Sequence, residues 1–283
     1  MTAADLHTAE RRVPYFAHRF GRAYGPDSSR PALAAALHGS VEGLETDCTL
    51  TADDQIVLLH DPLLHRGTTL TGWAHHHRAQ AITTEFLRDR DGNVSDEHPL
   101  LLDDLWPLVD GEELTVQLEI KAICDDDLAQ QTCRVLCEHL ESTPPPRGVQ
   151  IEIISFWPDV LPIAAAAGWD TRLIVAAPHQ PAALKQWAVD HGITGLILEA
   201  EFWSAGHVDE WRSAGLSLMS GVCNDPILAA LVLAFEPDAI ATDRPNELRQ
   251  ELASTLPPGE NEPVAAIPGQ EMAATKTWSR RTV

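Results

Sequence analysis

Basic residues are scarce in this sequence. Against 42 Asp and Glu stand only 20 Lys and Arg, a formal charge of −22 with the 13 histidines neutral. Duplex nucleic acid and anionic membrane surfaces both require a basic face, so this balance excludes them as docking partners. No apolar run reaches the ~18–20 residues that a membrane span needs. The segment from Met1 to Arg12 is polar and mixed in charge, unlike a secretory signal or a transit peptide. There are five cysteines, an odd count: Cys48, Cys124, Cys133, Cys137 and Cys223. Their spacing offers neither a disulfide framework nor a CxxC metal pair, so a cytoplasmic protein is expected. No GxGxxG turn follows an early strand, which weakens a dinucleotide-binding fold.

The 44% hydrophobic content suffices for a sizeable core. Eight short β-like runs alternate with eight helix-like segments. The runs are Pro14–His18, Gly43–Cys48, Thr115–Lys121, Gln150–Ser155, Arg172–Ala176, Gly195–Leu198, Leu216–Met219 and Ala239–Thr242. Gly168, Gly192, Gly215 and Pro237 punctuate the connections. Such alternation implies parallel strands joined by crossover helices. Eight units in roughly 250 residues is the size of a (β/α)8 TIM barrel, with an open doubly wound sheet as the alternative. The expected organisation is an N-terminal extension over 1–13, a barrel domain over 14–255 and a flexible Pro/Gly/Ala-rich tail over 256–283. One connection is too long for a simple loop. The stretch of about 50–100, with its own β-like run Gln55–His60, reads as a small insertion after the second strand. Between Glu85 and Glu141 lie 16 acidic and four basic residues, most of them expected on a solvated face.

Strand alternation separates two polar faces from two apolar ones. Glu45 and Asp47 share one side of their run, opposite Leu44, Thr46 and Cys48. Gln117, Glu119 and Lys121 share another, opposite Val116, Leu118 and Ile120. In a barrel the apolar side meets the helices and the polar side points inward; on an edge strand the polar side would simply be solvated. Buried carboxylates are costly unless paired or bound to metal, and barrel chemistry sits at the C-terminal ends of the strands. Three carboxylates make an oxygen-only ligand set that suits Mg2+ or Ca2+ better than zinc. His18 and His60 end their runs, and a lone histidine there is commonly structural. Two of them beside an inward carboxylate cluster form a candidate proton shuttle. Arg19 and Lys121 are candidate phosphate-binding cations.

Other clusters read more plainly. His75–His77 fits a solvated loop, and Cys133 with Cys137 fits buried packing on one helix face. Trp157 and Trp203 follow strand ends and are candidates for a pocket wall, though helix packing is the simpler role.

Several motifs, in order, carry a resemblance: Phe16-Ala-His-Arg19, Gly43-Leu-Glu-Thr-Asp-Cys-Thr-Leu-Thr51, Val57-Leu-Leu-His-Asp-Pro62 and Leu118-Glu-Ile-Lys121. Ser155-Phe156, Asn224-Asp225 and Ile240-Ala-Thr-Asp-Arg-Pro245 follow. Together they resemble the successive motifs of glycerophosphodiester phosphodiesterases, from about residue 14 to 253. The resemblance implies a TIM barrel with an insertion after its second strand. It implies a divalent metal on Glu45, Asp47 and Glu119, an acid–base pair of His18 and His60, and phosphate binding by Arg19 and Lys121. It implies a small-molecule phosphodiester as partner, cleaved to glycerol 3-phosphate and an alcohol after attack by the substrate's own 2-hydroxyl. A lysophospholipid, a sugar phosphodiester, or binding without turnover are the alternatives.

Three positions depart from the family pattern. Phe20 replaces a glycine after His-Arg and is expected to narrow the site. Asp27 replaces a longer Glu. Ser220-Gly221-Val222-Cys223 lacks a Trp before Asn224. Counting the three carboxylates, Arg19 and Lys121, the site is net negative without a divalent ion and net positive with one.

Overall fold

The computed structural model describes residues 13–122, 125–177 and 179–255. The expected tail, Cys124 and all of the expected N-terminal extension except Val13 lie outside them. Val13 is buried in the main core.

Eight parallel strands close into a barrel: β1 (Tyr15–Ala17), β2 (Gly43–Leu50), β4 (Leu114–Ile120), β5 (Val149–Ser155), β6 (Asp170–Val175), β7 (Gly195–Leu198), β8 (Ser217–Val222) and β9 (Ala239–Thr242). β1 pairs with both β9 and β2, which seals the ring. A short strand, β3 (Ile56–Leu58), runs antiparallel along β2 and opens the insertion. The helices in chain order are α1 (Arg30–His38), α2 (Ala79–Thr83), α3 (Leu102–Leu105), α4 (Asp126–Ser142), α5 (Leu161–Ala166), α6 (Pro181–Asp190), α7 (Ala205–Arg212), α8 (Pro226–Leu233) and α9 (Pro245–Thr255).

Local chemistry sets these boundaries. Ser29 caps α1, with a proline in its first turn. Asp125 caps α4 by accepting from the Leu128 N–H at 3.0 Å. Asp225 caps α8 through the Ile227 and Leu228 N–H groups. Each cap satisfies donors that a helix start leaves open. On α4, Ala129, Thr132, Cys133, Leu136, Cys137 and Leu140 are buried, the stripe expected of a helix lying on a sheet. Cys133 and Cys137 are therefore packing residues.

The barrel has two apolar zones. The outer one, between strands and helices, holds Leu44, Cys48, Val116, Leu118 and Ile120. The inner one holds Phe16, Ile154, Ile174, Ile197, Met219, Ala239 and Ala241. One layer toward the strand N-termini, Arg172 pairs bidentately with Glu152, at 2.6 and 2.7 Å. Gln117 and Ser217 complete that polar plug. A Cβ at Gly195 would lie 2.6 Å from an Arg172 nitrogen, so glycine there makes room for the guanidinium. The insertion has a small core of its own, built on Val57, Leu59, Leu64, Ala74, Ile82 and Leu87.

Candidate active site

Register builds the centre of the site. β2 and β4 align Glu45 with Gln117 and Asp47 with Glu119. All four side chains point inward, as alternation implied. One carboxylate oxygen from each of Glu45, Asp47 and Glu119 lies within 4.8 Å of the others. The three residues are at most 6% exposed. Glu45 Oε1 and Asp47 Oδ2 accept no hydrogen bond. Buried carboxylate oxygens without donors call for a cation, and an all-oxygen set of this size fits a hard divalent ion.

Lys121, just past β4, sets its Nζ 2.5 Å from Glu119 Oε1 and 3.2 Å from Asp47 Oδ1. Arg19 Nε lies 3.7 Å from Asp47 Oδ2, and the Arg19 backbone N–H donates to Glu45 Oε2 at 2.8 Å. The three carboxylates respond differently. Burial, reinforced by the charges of Asp47 and Glu119, pushes Glu45 well above the usual carboxylate range. Burial also pushes Glu119 up to about 7, with Lys121 opposing and Asp47 adding to the rise. Burial acts the same way on Asp47, but Lys121, His60 and Arg19 outweigh it and hold that carboxyl below its ordinary value.

His18 follows β1 and sits between two carboxylates from neighbouring strands. Its Nδ1 bonds Asp243 Oδ1 at 2.5 Å, and its Nε2 lies 3.9 Å from Glu45 Oε2. Asp243 is itself anchored: Asn224 Nδ2 donates to Oδ2 at 2.7 Å, while Asn224 Oδ1 accepts from the Asp243 N–H. Burial would raise the Asp243 carboxyl, but His18 and Asn224 lower it further. A carboxylate on Nδ1 fixes the ring's orientation and tautomer, leaving Nε2 toward the cavity. His60, two residues beyond β3, has its Nδ1 3.4 Å from Asp61 Oδ2 and no hydrogen bond to it. Burial depresses its basicity, and Lys121 and Arg19 depress it further against Asp47 and Asp61.

A cavity of about 240 Å³ opens above this cluster, lined by His18, Arg19, Glu45, His60, Glu119 and Lys121 among others. Asp47 lies beneath them. All seven residues singled out in the sequence thus meet in one place.

Four further contributors were not among the candidate site residues. Asp243 and Phe156 stood in motifs that carried the resemblance and Asp27 at a departure from it, none with an assigned role; Asp243 reaches His18 because β9 lies beside β1. Glu199 lines the wall. Its carboxyl is raised by burial and by Glu201, with His18 opposing. Phe156, 39% exposed, places its ring 5.6 Å from Lys121 Nζ. Asp27 bonds Arg19 Nη1 at 2.7 Å and lies 3.1 Å from Arg22 Nε. With Glu199 and Asp27 included, the site is more negative than the sequence count implied.

Two of the departures and two other expectations resolve. Phe20 does not narrow the cavity. Its ring is fully buried in the outer core, and its φ of 63° follows one of 49° at Arg19. That left-handed backbone is what makes glycine the easy residue at this position. The space over Gly221 is taken by Glu199: a Cβ on Gly221 would meet Glu199 Oε1 at 3.0 Å. Trp157 and Trp203 pack against the core, and neither lines the cavity. His75–His77 stands in the insertion, away from the cavity.

Residues 18–118 match the Glycerophosphoryl diester phosphodiesterase family. An uncharacterized protein, y4eD, of Sinorhizobium fredii is 35% identical over 78 residues, covering 28% of this chain and 21% of that protein. A glycerophosphodiester phosphodiesterase of Bacillus altitudinis is 37% identical over 57 residues, covering 20% and 23% respectively. The matched stretches thus span less than a quarter of either relative. In fold, the chain is similar to an Oleispira antarctica phosphodiesterase solved with its product sn-glycerol-3-phosphate. The TM-score is 0.75 at 21% identity, over 87% of this chain and 99% of that one. Over its segment 18–118, about a third of its length, the chain is thus similar to the glycerophosphoryl diester phosphodiesterase family.

Proposed function

We propose that the chain is a metal-dependent phosphodiesterase that hydrolyses glycerophosphodiesters to glycerol 3-phosphate and an alcohol. The observation that carries this reading is the buried triad Glu45, Asp47 and Glu119, with oxygens that accept no hydrogen bond, set beside two histidines in one cavity. A Mg2+ or Ca2+ ion held by these carboxylates would polarise a phosphoryl oxygen and acidify an attacking hydroxyl.

The chain's own residues supply the rest. Arg19 and Lys121 hold the phosphate oxygens. His60, kept neutral by burial and by neighbouring cations, takes the proton of the substrate hydroxyl as it attacks phosphorus. The phosphorus–oxygen bond to the alcohol breaks, and His18 gives its Nε2 proton to that oxygen. Water then opens the cyclic phosphate with the two roles reversed. Asp243 keeps His18 oriented through its Nδ1. Each proton-transfer role is worth ~10²–10⁴ in rate.

Activity against a panel of glycerophosphodiesters, with EDTA and metal titration, tests the reading. Glu45→Ala, Asp47→Ala and Glu119→Ala should each abolish hydrolysis, as should chelation. Full activity of Glu119→Ala in EDTA would refute it. Binding of every substrate without product would favour a barrel that only binds phosphorylated ligands.

One observation favours a second substrate class, a lysophospholipid. An apolar groove of about 520 Å³ shares Phe156 and Ile174 with the catalytic cavity and is lined further by Leu173, Ala183, Leu184 and Trp187. A methylene buried there is worth about 0.8 kcal/mol. A series of glycerophospho-alkanols should then show kcat/KM rising about fourfold per methylene until the groove is filled. A flat series eliminates this class.

A further inference from the structure

A second cavity lies on the opposite flank of the site and shares Arg19 and His60 with it. It measures about 110 Å³, less than half the volume of the cavity over the triad, and it admits an oxyanion group. Five arginines line it: Arg19 and Arg22 from the segment after β1, and Arg66, Arg88 and Arg90 from the insertion. This is a dense gathering of guanidinium groups for a chain with 20 bases and a net charge of −22.

The carboxylates nearby leave that charge under-compensated. Asp27 is shared between Arg19 and Arg22. Asp61 lies 3.4 Å from both Arg66 Nε and His60 Nδ1. Asp89 is engaged within its own turn, where Oδ1 accepts from the N–H groups of Asp91 and Asn93. Arg88 is held by neutral acceptors: Nε donates to the Thr68 carbonyl and Nη1 to the Gly92 carbonyl, both at 2.9 Å. Those bonds orient its fork and leave its charge intact. Neither Arg88 nor Arg90 has a carboxylate partner among the described residues. Guanidinium stays charged at all working pH values and matches the paired oxygens of a phosphate.

We propose that this cavity is a second anion subsite, which takes a phosphomonoester-type dianion. The dianion is carried on one arm of the substrate or is free phosphate. The substrate-borne source rests on the phosphodiesterase reading above; binding of phosphate itself does not. A phosphodiester centred over the triad would place one arm past His60 and Arg19, where a terminal phosphate meets Arg88 and Arg90.

The test begins with calorimetry of inorganic phosphate titrated into the full chain in EDTA at low ionic strength, where screening is weak. Wild type should show saturable binding. Arg90→Ala should weaken it about tenfold, the scale of one charge-assisted contact. Arg90→Glu should abolish it and Arg90→Lys should retain most of it. Arg90 is exposed and makes no contact that holds the fold, so these variants should melt like wild type.

Kinetics on the metal-loaded chain separates the two sources. With a substrate-borne anion, a glycerophosphodiester bearing a terminal phosphomonoester should have a KM about tenfold below that of its uncharged counterpart. Arg90→Ala should erase the gap and leave the uncharged substrate unchanged. With free phosphate as the ligand, the two KM values should agree, and Arg90→Ala should relieve inhibition by phosphate. No saturable heat in wild type, or heat unaltered in Arg90→Glu, overturns the proposal. Saturable binding with no turnover of either diester would instead fault the phosphodiesterase reading alone.

Discussion

Replacing Glu119 by Gln should make the metal-free protein more stable while removing its response to metal. The Glu119 carboxyl is pushed from an ordinary 4.5 to about 7 by burial, net of Lys121. Below pH ~4.5 it is protonated in both folded and unfolded chains and contributes nothing. As pH rises toward 7, the unfolded chain ionises first, so stability falls. Above pH 7 the full penalty is present, on the order of 3 kcal/mol at ~1.4 kcal/mol per unit. Glutamine keeps the shape and lacks the charge, but Lys121 loses its 2.5 Å partner and keeps only Asp47. With about half the gain offset in this way, and ~2–4 °C per kcal/mol for a large domain, the variant should melt roughly 5 °C higher in EDTA at pH 8. Near pH 4.5 the two proteins should melt together. Saturating Mg2+ or Ca2+ should reverse the order, since an ion at 100 times its Kd adds about 2.7 kcal/mol to wild type alone. Thermal melts by circular dichroism at both pH values, with and without metal, read all four conditions. A variant that melts below wild type in EDTA at pH 8, or that gains as much from metal, would refute the electrostatic account.

Asp243→Asn should lower kcat by ~10²–10⁴ with little change in KM, because an amide can offer its N–H to His18 Nδ1 and reverse the tautomer; unchanged kcat would remove Asp243 from the machinery. Phe20→Gly should relieve about 1–2 kcal/mol of left-handed strain but forfeit ~3–5 kcal/mol of buried ring. A net loss of about 2 kcal/mol in urea unfolding is expected, with activity retained. Arg172→Met should destabilise by ~3–5 kcal/mol, since it leaves Glu152 charged inside the barrel with only the neutral Gln117 as partner. Burial raises the Glu152 carboxyl, but Arg172 and Gln117 outweigh it and hold the pKa below the usual value. Wild type therefore has this stabilisation in full above the unfolded carboxylate pKa and loses it as pH falls through the folded one. Acid titrations of the two proteins should converge at low pH.

The barrel was legible because its strands announce themselves twice, by apolar character and by the helices that separate them. All eight expected runs overlap observed strands; period-two alternation put Glu45 with Asp47 and Glu119 with Lys121 on shared polar faces, and closure of the barrel leaves no edge on which those faces would be solvated. Phe20 was misplaced because orientation at a strand end depends on φ, and its left-handed backbone turns the ring outward. The end of β8 was also misjudged. The expected run stops at Met219, whereas the strand continues through a bulge to Val222 and brings Gly221 against Glu199. Asp243 and Asp27 were given no role for a different reason: Asp243 meets His18 from the end of β9, and Asp27 folds back on Arg19 within the connection after β1, contacts that no local periodicity encodes.

Charge shows most clearly how a bulk quantity differs from a local one. A net −22 fits a surface that repels anions over distances up to the Debye length, ~8 Å at physiological salt. The barrel mouth departs from that average piece by piece. At its centre three carboxylates hold space for a divalent ion, with Lys121 and Arg19 pressed against them. On one flank, five guanidinium groups surround a cavity that admits an oxyanion group. On the other, Phe156 and Trp187 border a groove with almost no charge. A phosphodiester has the same three-part character, with an anionic centre and two chemically distinct arms. The order around the ring is fixed by the chain: the insertion after β2 supplies Arg66, Arg88 and Arg90, while β5 and β6 supply the apolar side. Exchanging the insertion with that of a glycerophosphoryl diester phosphodiesterase should therefore transfer preference for a charged arm and leave preference for an apolar arm unchanged. Equal movement of both preferences would mean that the two flanks do not act separately.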